Sequence, residues 1–444
     1  QAPMHTYLAL HALQHRGQEG AGIATSDGVK LYCHKGRGLA AEVFRGRELD
    51  RLPGENSIGH VRYSTAGGDV PENVQPLMAR SQIGSIAAAH NGQIVNANIL
   101  RQRLEEQGSI FFSSSDSEII LHLIQRGKGS MMDKIAAACR QMEGAFAFLV
   151  LTEHSMYAVR DRHGLRPLSI GVFGGGYCVS SETCAVGAIQ AQWQRDILPG
   201  EIVKFSEQGV QSCFYTAERT HHLCAMEYIY FARPDSTLDG INVHTARRKS
   251  GVLMAQKDLS AGLAADIVVG VPDSSLSAAA GYAEAAHLPN EMGLIKNRYV
   301  GRTFIEPTQE QRDLAVRMKL SANRDVVCGK RIVLIDDSVV RGTTSQRIIR
   351  LLKEAGAREV HLRIASPPLR WPCFYGIDIA TREELISAHM DPEALAEKIG
   401  ADSLRFLGVA DMEQIYGRDR CCYACFDGNY LTSLYDHEEE VRTT

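Results

Sequence analysis

The chain has 444 residues, 48 of them basic and 52 acidic, for a formal charge of −4. At about 100–200 residues per domain it holds two or three domains, each large enough for its own core. The balanced charge and the lack of a long basic run argue against a nucleic-acid partner, and no run of about 18 apolar residues offers a membrane span.

The first residues, QAPMHTYLALHALQHRG, lack the basic start and long apolar run of a secretory leader, which points to a cytoplasmic protein. Up to about residue 215, short apolar runs alternate with glycine-rich turns, as in IGHVRYSTAGG, GAFAFLVLTE and LSIGVFGGGYCVSSE. Runs of four to eight such residues between turn signals predict strands, and ILRQRLEEQG and EIILHLIQRG predict helices among them. This is an α+β pattern with antiparallel sheets.

Four polar motifs directly follow apolar runs: HRGQEGAG (15–22), GHVRYSTAG (59–67), HNGQIVN (90–96) and SSSDSE (113–118). Arg62 carries a fork suited to a carboxylate. Asn91 and Gly92 offer a side-chain amide and a backbone N–H for an oxyanion hole. Asp116 suits an α-amino group. Together they fit an amino acid whose side-chain amide is hydrolysed.

Beyond residue 235 the rhythm becomes strand–helix–strand. ADIVVG, KRIVLIDDS and REVHLRIASPP predict strands, and SAAAGYAEAAH and TTSQRIIRLLKEAGA predict helices, the order of a parallel, doubly wound sheet. In RIVLIDDSVVRGTTS (331–345) an apolar strand ends in Asp336 and Asp337, and Arg341, Gly342, Thr343, Thr344 and Ser345 open a helix. Carboxylates at a strand's carboxyl end suit sugar hydroxyls or hydrated Mg²⁺. Hydroxyls, backbone N–H groups and a helix N-terminus after a glycine suit a phosphate. Lys296, Arg298, Arg302, Arg317, Lys319 and Arg324 then supply cations able to close over a polyanion. The tail Asp436–Val441 is acidic and is expected to fray.

Most of the eleven cysteines lie singly in apolar runs and read as small core residues. Cys422 and Cys425 form a CxxC, with Cys421 before it and Cys224 and Cys373 far upstream. A CxxC by itself fits a metal site, a redox pair or neither, and four gathered thiolates suit Zn²⁺ or an iron–sulfur cluster.

RIVLIDDSVVRGTTS resembles the signature of type I phosphoribosyltransferases. VPDSS (271–275) is similar to that family's diphosphate loop, which implies Mg²⁺–diphosphate held among Ser275, Asp336 and Asp337. KNRYVGRTFI (296–305) resembles its lid, bringing Lys296 and Arg298 to phosphoribosyl diphosphate. The four N-terminal motifs resemble the glutaminase domain of class II amidotransferases. With MEYIYFARPDSTLDGINVHTAR (226–247) at the junction, the whole chain resembles the amidophosphoribosyltransferase family.

The resemblance implies an αββα N-terminal-nucleophile domain over residues 1–220 and an α/β phosphoribosyltransferase domain with a cysteine-bearing segment over 221–444. It implies a glutamine-dependent route to 5-phosphoribosylamine, the first committed step of purine synthesis, with purine nucleotides as inhibitors, in a homo-oligomer. The contexts LCAMEYIYF, WPCFYGID and CYACF resemble those of the branch that carries a 4Fe-4S cluster, implying Cys224, Cys373, Cys422 and Cys425 as ligands. The family's nucleophile is an N-terminal cysteine, whereas this sequence starts at Gln1 and first reaches a cysteine at Cys33. The expectation is a nucleophile upstream of Gln1. A chain without it would be an ammonia-only phosphoribosyltransferase or an inactive regulatory nucleotide binder.

Overall fold

The computed structural model describes residues 2–63, 70–81, 84–298, 319–379 and 381–442. Arg302 and Arg317 lie outside them. Strands β1 (Gly20–Ser26), β2 (Leu31–Arg37) and β3 (Asn56–Arg62) form an antiparallel sheet in the order β2-β1-β3. Strands β4 (Leu77–Ser81), β5 (Gly84–Ile94), β6 (Gly144–Leu151), β7 (Ser155–Arg160), β8 (Glu201–Ser206) and β9 (Gly209–Phe214) form a second, in the order β9-β8-β7-β6-β5-β4.

The side-chain period of two along β5 shows how these sheets stack. Ile86 and Ala88 face helices Glu118–Arg126 and Met131–Cys139, packing with Ile119, Ile120 and Ile135. Ala87 and Ala89 face the smaller sheet and meet Ala24 and Ile58. On the far side of the smaller sheet, helix Ala2–Ala12 packs Leu10 against Ala21 and Ile23. The layers are therefore helix, sheet, sheet, helix, the αββα arrangement expected. All strand pairing in both sheets is antiparallel.

In the second half, β10 (Ile267–Gly270), β11 (Arg331–Asp336), β12 (Glu359–Ile364) and β13 (Ser403–Phe406) pair in parallel and in that order. Both faces are covered, as parallel sheets require. Val268, Val333 and Ile335 meet Met254, Ala279 and Tyr282 from helices Val243–Ser260 and Leu276–Ala286. Ile267, Ile332 and Leu334 meet Ile348, Leu352 and Leu395 from helices Thr343–Glu354 and Pro392–Ile399.

The acidic tail does not fray as expected. Residues Glu438–Arg442 form a helical turn, His437 stacks on Phe374 with ring centroids 5.0 Å apart, and Asn98 donates to Asp436 at 2.5 Å. Aromatic contact from another part of the chain outweighs the local repulsion of three glutamates. Among the described residues, no helix is long and apolar enough to cross a membrane.

Candidate functional site

Two pockets stand at the meeting of the two halves. Arg62, Asn91, Gly92 and Asp116, read from separate motifs, line the first together. Arg62 ends β3 and donates to Asn73 O at 2.7 Å. Asp116 accepts the Ile94 N–H at 2.8 Å and is thereby tied to the end of β5.

Asn91 and Gly92 lie within β5, opposite Ala147 and Phe146. The Asn91 amide nitrogen is buried and has no acceptor among the described residues. An unsatisfied buried donor costs about 1–3 kcal/mol, so it is retained where a ligand supplies the acceptor. Gly92 has φ of 140°, and a Cβ there would lie 2.0 Å from Ala145 O; only glycine fits.

The histidines beside these residues are buried. Burial pushes His60 down to about 4 and also lowers His90, so both are neutral near pH 7. His90 Nδ1 and the Ser117 hydroxyl are 2.9 Å apart, and His60 Nε2 is 3.0 Å from His90 O.

The HRGQEGAG motif reaches the same pocket through Arg16, which also anchors the junction. Arg16 donates to Glu182 at 2.6 Å and to Glu227 at 2.5 Å, and Arg166 donates to Glu227 at 2.9 Å. Burial alone would raise the Glu227 carboxyl, but Arg16 and Arg166 outweigh it and hold the group below its ordinary value. This buried network ties residues before 190 to the start of the second half. Truncation of Glu227 to Ala would leave Arg166 without its carboxylate partner and Arg16 with Glu182 alone. We expect chemical denaturation to give a loss of about 3–5 kcal/mol, the usual cost of breaking a buried pair. A loss under about 1 kcal/mol would mean that water replaces the carboxylate.

The second pocket lies beyond the carboxyl ends of β10 and β11 and is lined by Asp336, Asp337, Arg341, Gly342, Thr343, Thr344 and Ser345. Both carboxylates are buried, at 8% and 7% exposure. Burial raises both groups, and Asp337 raises Asp336 further, so this pair is primed for a cation or for hydroxyl donors. The Ser274 hydroxyl donates to Asp337, Ser275 to Asp336 at 3.3 Å, and Ser338 to Asp337 at 2.7 Å.

Gly342, at φ 74°, turns the chain into helix Thr343–Glu354, whose first N–H groups have no intrahelical acceptor. Arg341 reaches over to Glu384 at 2.7 Å. Lys296 pairs with Asp273 of the VPDSS loop at 2.7 Å, an exposed pair that releases at little cost. Arg298 lies in an exposed turn just beyond strand Leu294–Lys296.

Sequence reading singled out Ser275, but it is Ser274 that lines the pocket, while Ser275 is 1% exposed behind it. It also missed Arg247, a buried guanidinium that donates to Tyr228 O and Ala232 O at 2.7 and 2.8 Å and whose charge favours ionised Asp337. No local pattern distinguishes Arg247 from any helix arginine. Tyr63 and Phe231 line both pockets.

The cysteines gather under the junction. Leu223–Cys224 and Cys421–Cys422 form a short parallel ladder with Cys224 opposite Cys422, and Cys425 O accepts the N–H groups of Arg370 and Trp371 at 3.0 and 3.1 Å. All four thiols are free of disulfides. Burial raises Cys425, and the closeness of Cys373, Cys224 and Cys422 raises it further. Among the described residues, no three His, Cys, Asp or Glu side chains converge tightly enough for a single metal ion.

Residues 60–188 match the model of the glutamine amidotransferase domain, and residues 242–365 that of the phosphoribosyl transferase domain. The amidophosphoribosyltransferase of Bacillus subtilis is 54% identical over 443 residues, covering 98% of this chain and 92% of its own length. The chain belongs to the amidophosphoribosyltransferase family. The family's enzyme from Staphylococcus aureus is 48% identical, covering 100% of this chain and 91% of its own. The structure of the B. subtilis glutamine phosphoribosylpyrophosphate amidotransferase complexed with ADP and GMP superposes with a TM-score of 0.93 at 53% identity, covering 98% of this chain and 96% of that one. A structure described as the allosteric regulatory enzyme of purine biosynthesis gives 0.94 at 53% identity, covering 99% and 95%. An amidophosphoribosyltransferase is a purine-pathway enzyme, and its two expected domains are both present.

Proposed function

We propose that the two pockets carry the two halves of one reaction, with the division between domains near residue 220. In the first pocket Arg62 holds the glutamine carboxylate and Asp116 its α-amine. Asn91 and Gly92 donate to the oxyanion that forms when a thiol attacks the side-chain amide. Ammonia leaves, and water cleaves the thioester to glutamate. None of the cysteines between 1 and 444 lines this pocket among the described residues.

In the second pocket Asp336 and Asp337 hold the ribose hydroxyls, and the 342–345 turn holds the 5-phosphate. Ammonia displaces diphosphate from C1 of the ribose and loses a proton to give 5-phosphoribosylamine. Asp336 and Asp337, with the Ser274 hydroxyl beside them in the pocket in place of the expected Ser275, fit Mg²⁺, which when bound would neutralise the leaving diphosphate. Lys296 and Arg298 close over that diphosphate and exclude water, which would otherwise compete with ammonia. The observation that carries this reading is that the two pockets share Tyr63 and Phe231, giving ammonia a short passage.

Four further readings accompany it. Purine nucleotides carry the ribose 5-phosphate that residues 336–345 bind, and the B. subtilis relative binds ADP and GMP; they act here as inhibitors. The active form is a homo-oligomer, and it works in the cytoplasm. Cys224, Cys373, Cys422 and Cys425 hold a 4Fe-4S cluster. Their thiols are buried close to one another, and four gathered thiolates suit such a cluster. When bound, the cluster supplies a structural tie between the junction and the C-terminal segment.

The test is a rate assay with phosphoribosyl diphosphate and either glutamine or ammonia. Activity with both is expected. Activity with ammonia alone would mean that the nucleophile is absent, and activity with neither would favour a regulatory nucleotide binder. Anaerobically purified protein should be brown, with about four irons per chain; colourless protein with stoichiometric zinc would refute the cluster.

A further inference from the structure

The back wall of the glutamine pocket is not supplied by the domain that carries Arg62, Asn91 and Asp116. The Cys373 N–H donates to Ile379 O at 3.1 Å and closes a turn over residues 373–379, with Gly376 near its middle at φ 92°. Gly376 lies directly on the oxyanion strand. A Cβ at this position would stand 2.8 Å from the Gly92 carbonyl carbon and 2.9 Å from both Gly92 Cα and Arg166 Nη2. Gly92 has no room elsewhere, because the added carbon on Gly92 itself would meet Ala145 O at 2.0 Å. The oxyanion glycine is thus clamped between β6 and the Gly376 turn.

Arg166 braces the clamp. It is 2% exposed, lines the same pocket, and donates to Glu227 through Nη1 at 2.9 Å. Its Nε is buried without an acceptor among the described residues. A buried guanidinium held in this way connects three things: the Gly376 turn, the oxyanion strand and the Arg16–Glu227 network.

We propose that Gly376 and Arg166 are positioning residues for glutamine hydrolysis: the Gly376 turn of the phosphoribosyl half fixes the Gly92 backbone from behind, and Arg166 holds that turn in place. The first domain's oxyanion hole is then complete only when the second domain's turn is seated. Glutamine is hydrolysed at full rate only in the docked chain, while use of free ammonia is independent of the turn. This rests on the proposed glutaminase reading.

The experiment is Gly376→Ala in the full chain, with Arg166→Lys as a milder second variant that keeps the charge and loses the fork. A misplacement of about 1 Å at a reacting centre costs up to about a hundredfold. We expect the glutamine-dependent kcat of Gly376→Ala to fall about ten- to a hundredfold, with little change in the glutamine KM and an unchanged ammonia-dependent rate. Arg166→Lys should show the same selectivity with a smaller loss. Independently of activity, amide exchange over residues 90–94 should quicken in Gly376→Ala, while β6 and β7 stay protected. Equal rates with both donors, equal losses with both donors, or unchanged exchange at 90–94 would each overturn the proposal. Glutamine hydrolysis by the parent chain is measured first; its absence would sink the glutaminase reading and this proposal with it, whereas in a parent that hydrolyses glutamine the variants test this proposal alone.

Discussion

Asp337→Asn should abolish most phosphoribosylamine formation with either nitrogen donor, by about a hundredfold or more, and leave the fold intact. The carboxylates of Asp336 and Asp337 are buried at the end of β11 and receive hydroxyls from Ser274, Ser275 and Ser338. Asparagine keeps the shape but loses the charge that a cation and the developing positive centre at C1 require. Removing one preorganised electrostatic group typically costs about 10²–10³-fold. Stability should hold or rise, because an adjacent pair of buried carboxylates is costly without a bound cation. The glutaminase rate without phosphoribosyl diphosphate should not change. A variant with normal rates using ammonia would show that this pair does not hold the ribose or its metal.

Asn91→Ala should do the reverse. Glutamine-dependent turnover should fall about 10²–10³-fold, equivalent to about 2.7–4 kcal/mol of transition-state stabilisation, with the glutamine KM nearly unchanged and ammonia-dependent synthesis intact. The structural basis is the buried Asn91 amide nitrogen, which has no acceptor among the described residues. That donor is a cost to the resting fold, so the alanine variant should be as stable as the parent or slightly more so. Loss of turnover together with stability would indicate an ordinary structural amide. A change confined to KM would mean that Asn91 binds the ground state and not the oxyanion. Paired with Asp337→Asn, the result separates the two half-reactions in one chain.

The β11 motif was legible because its chemistry is local. A strand, two carboxylates, a glycine and three hydroxyls follow one another within fifteen residues, and the α/β fold brings such a run to one place wherever it occurs. The αββα layering was implied only by the resemblance to a family; the runs themselves read as strands, and the structure shows Ala87 and Ala89 facing the smaller sheet. Four short motifs in the first half also kept their order, and all four reach one pocket. Their resemblance to a family supplied the grouping; spacing alone did not.

Other features came only from tertiary packing. HRGQEGAG looks like a substrate motif, but Arg16 is spent on Glu182 and Glu227, 166 and 211 residues away. The choice between Ser274 and Ser275 depends on how the VPDSS turn rolls at the helix start, which sets the hydroxyl facing the pocket. Gly376 looks like any turn glycine until Gly92 is found against it. Arg166 and Arg247 are surface-type residues by composition and are buried here, each paid for by partners distant in sequence.

By itself the sequence marked the strand ending in Asp336 and Asp337 with the turn after it, which are adjacent along the chain; the two domain types, and the grouping of Arg62, Asn91, Gly92 and Asp116 as candidates, came through the resemblance to a family. Only the tertiary structure decided how the halves meet: two pockets sharing Tyr63 and Phe231, a buried arginine–glutamate network across the junction, and a turn from the second half closing the wall of the first. Those contacts join residues hundreds of positions apart, and their energy comes from desolvation and close approach, which no local pattern encodes.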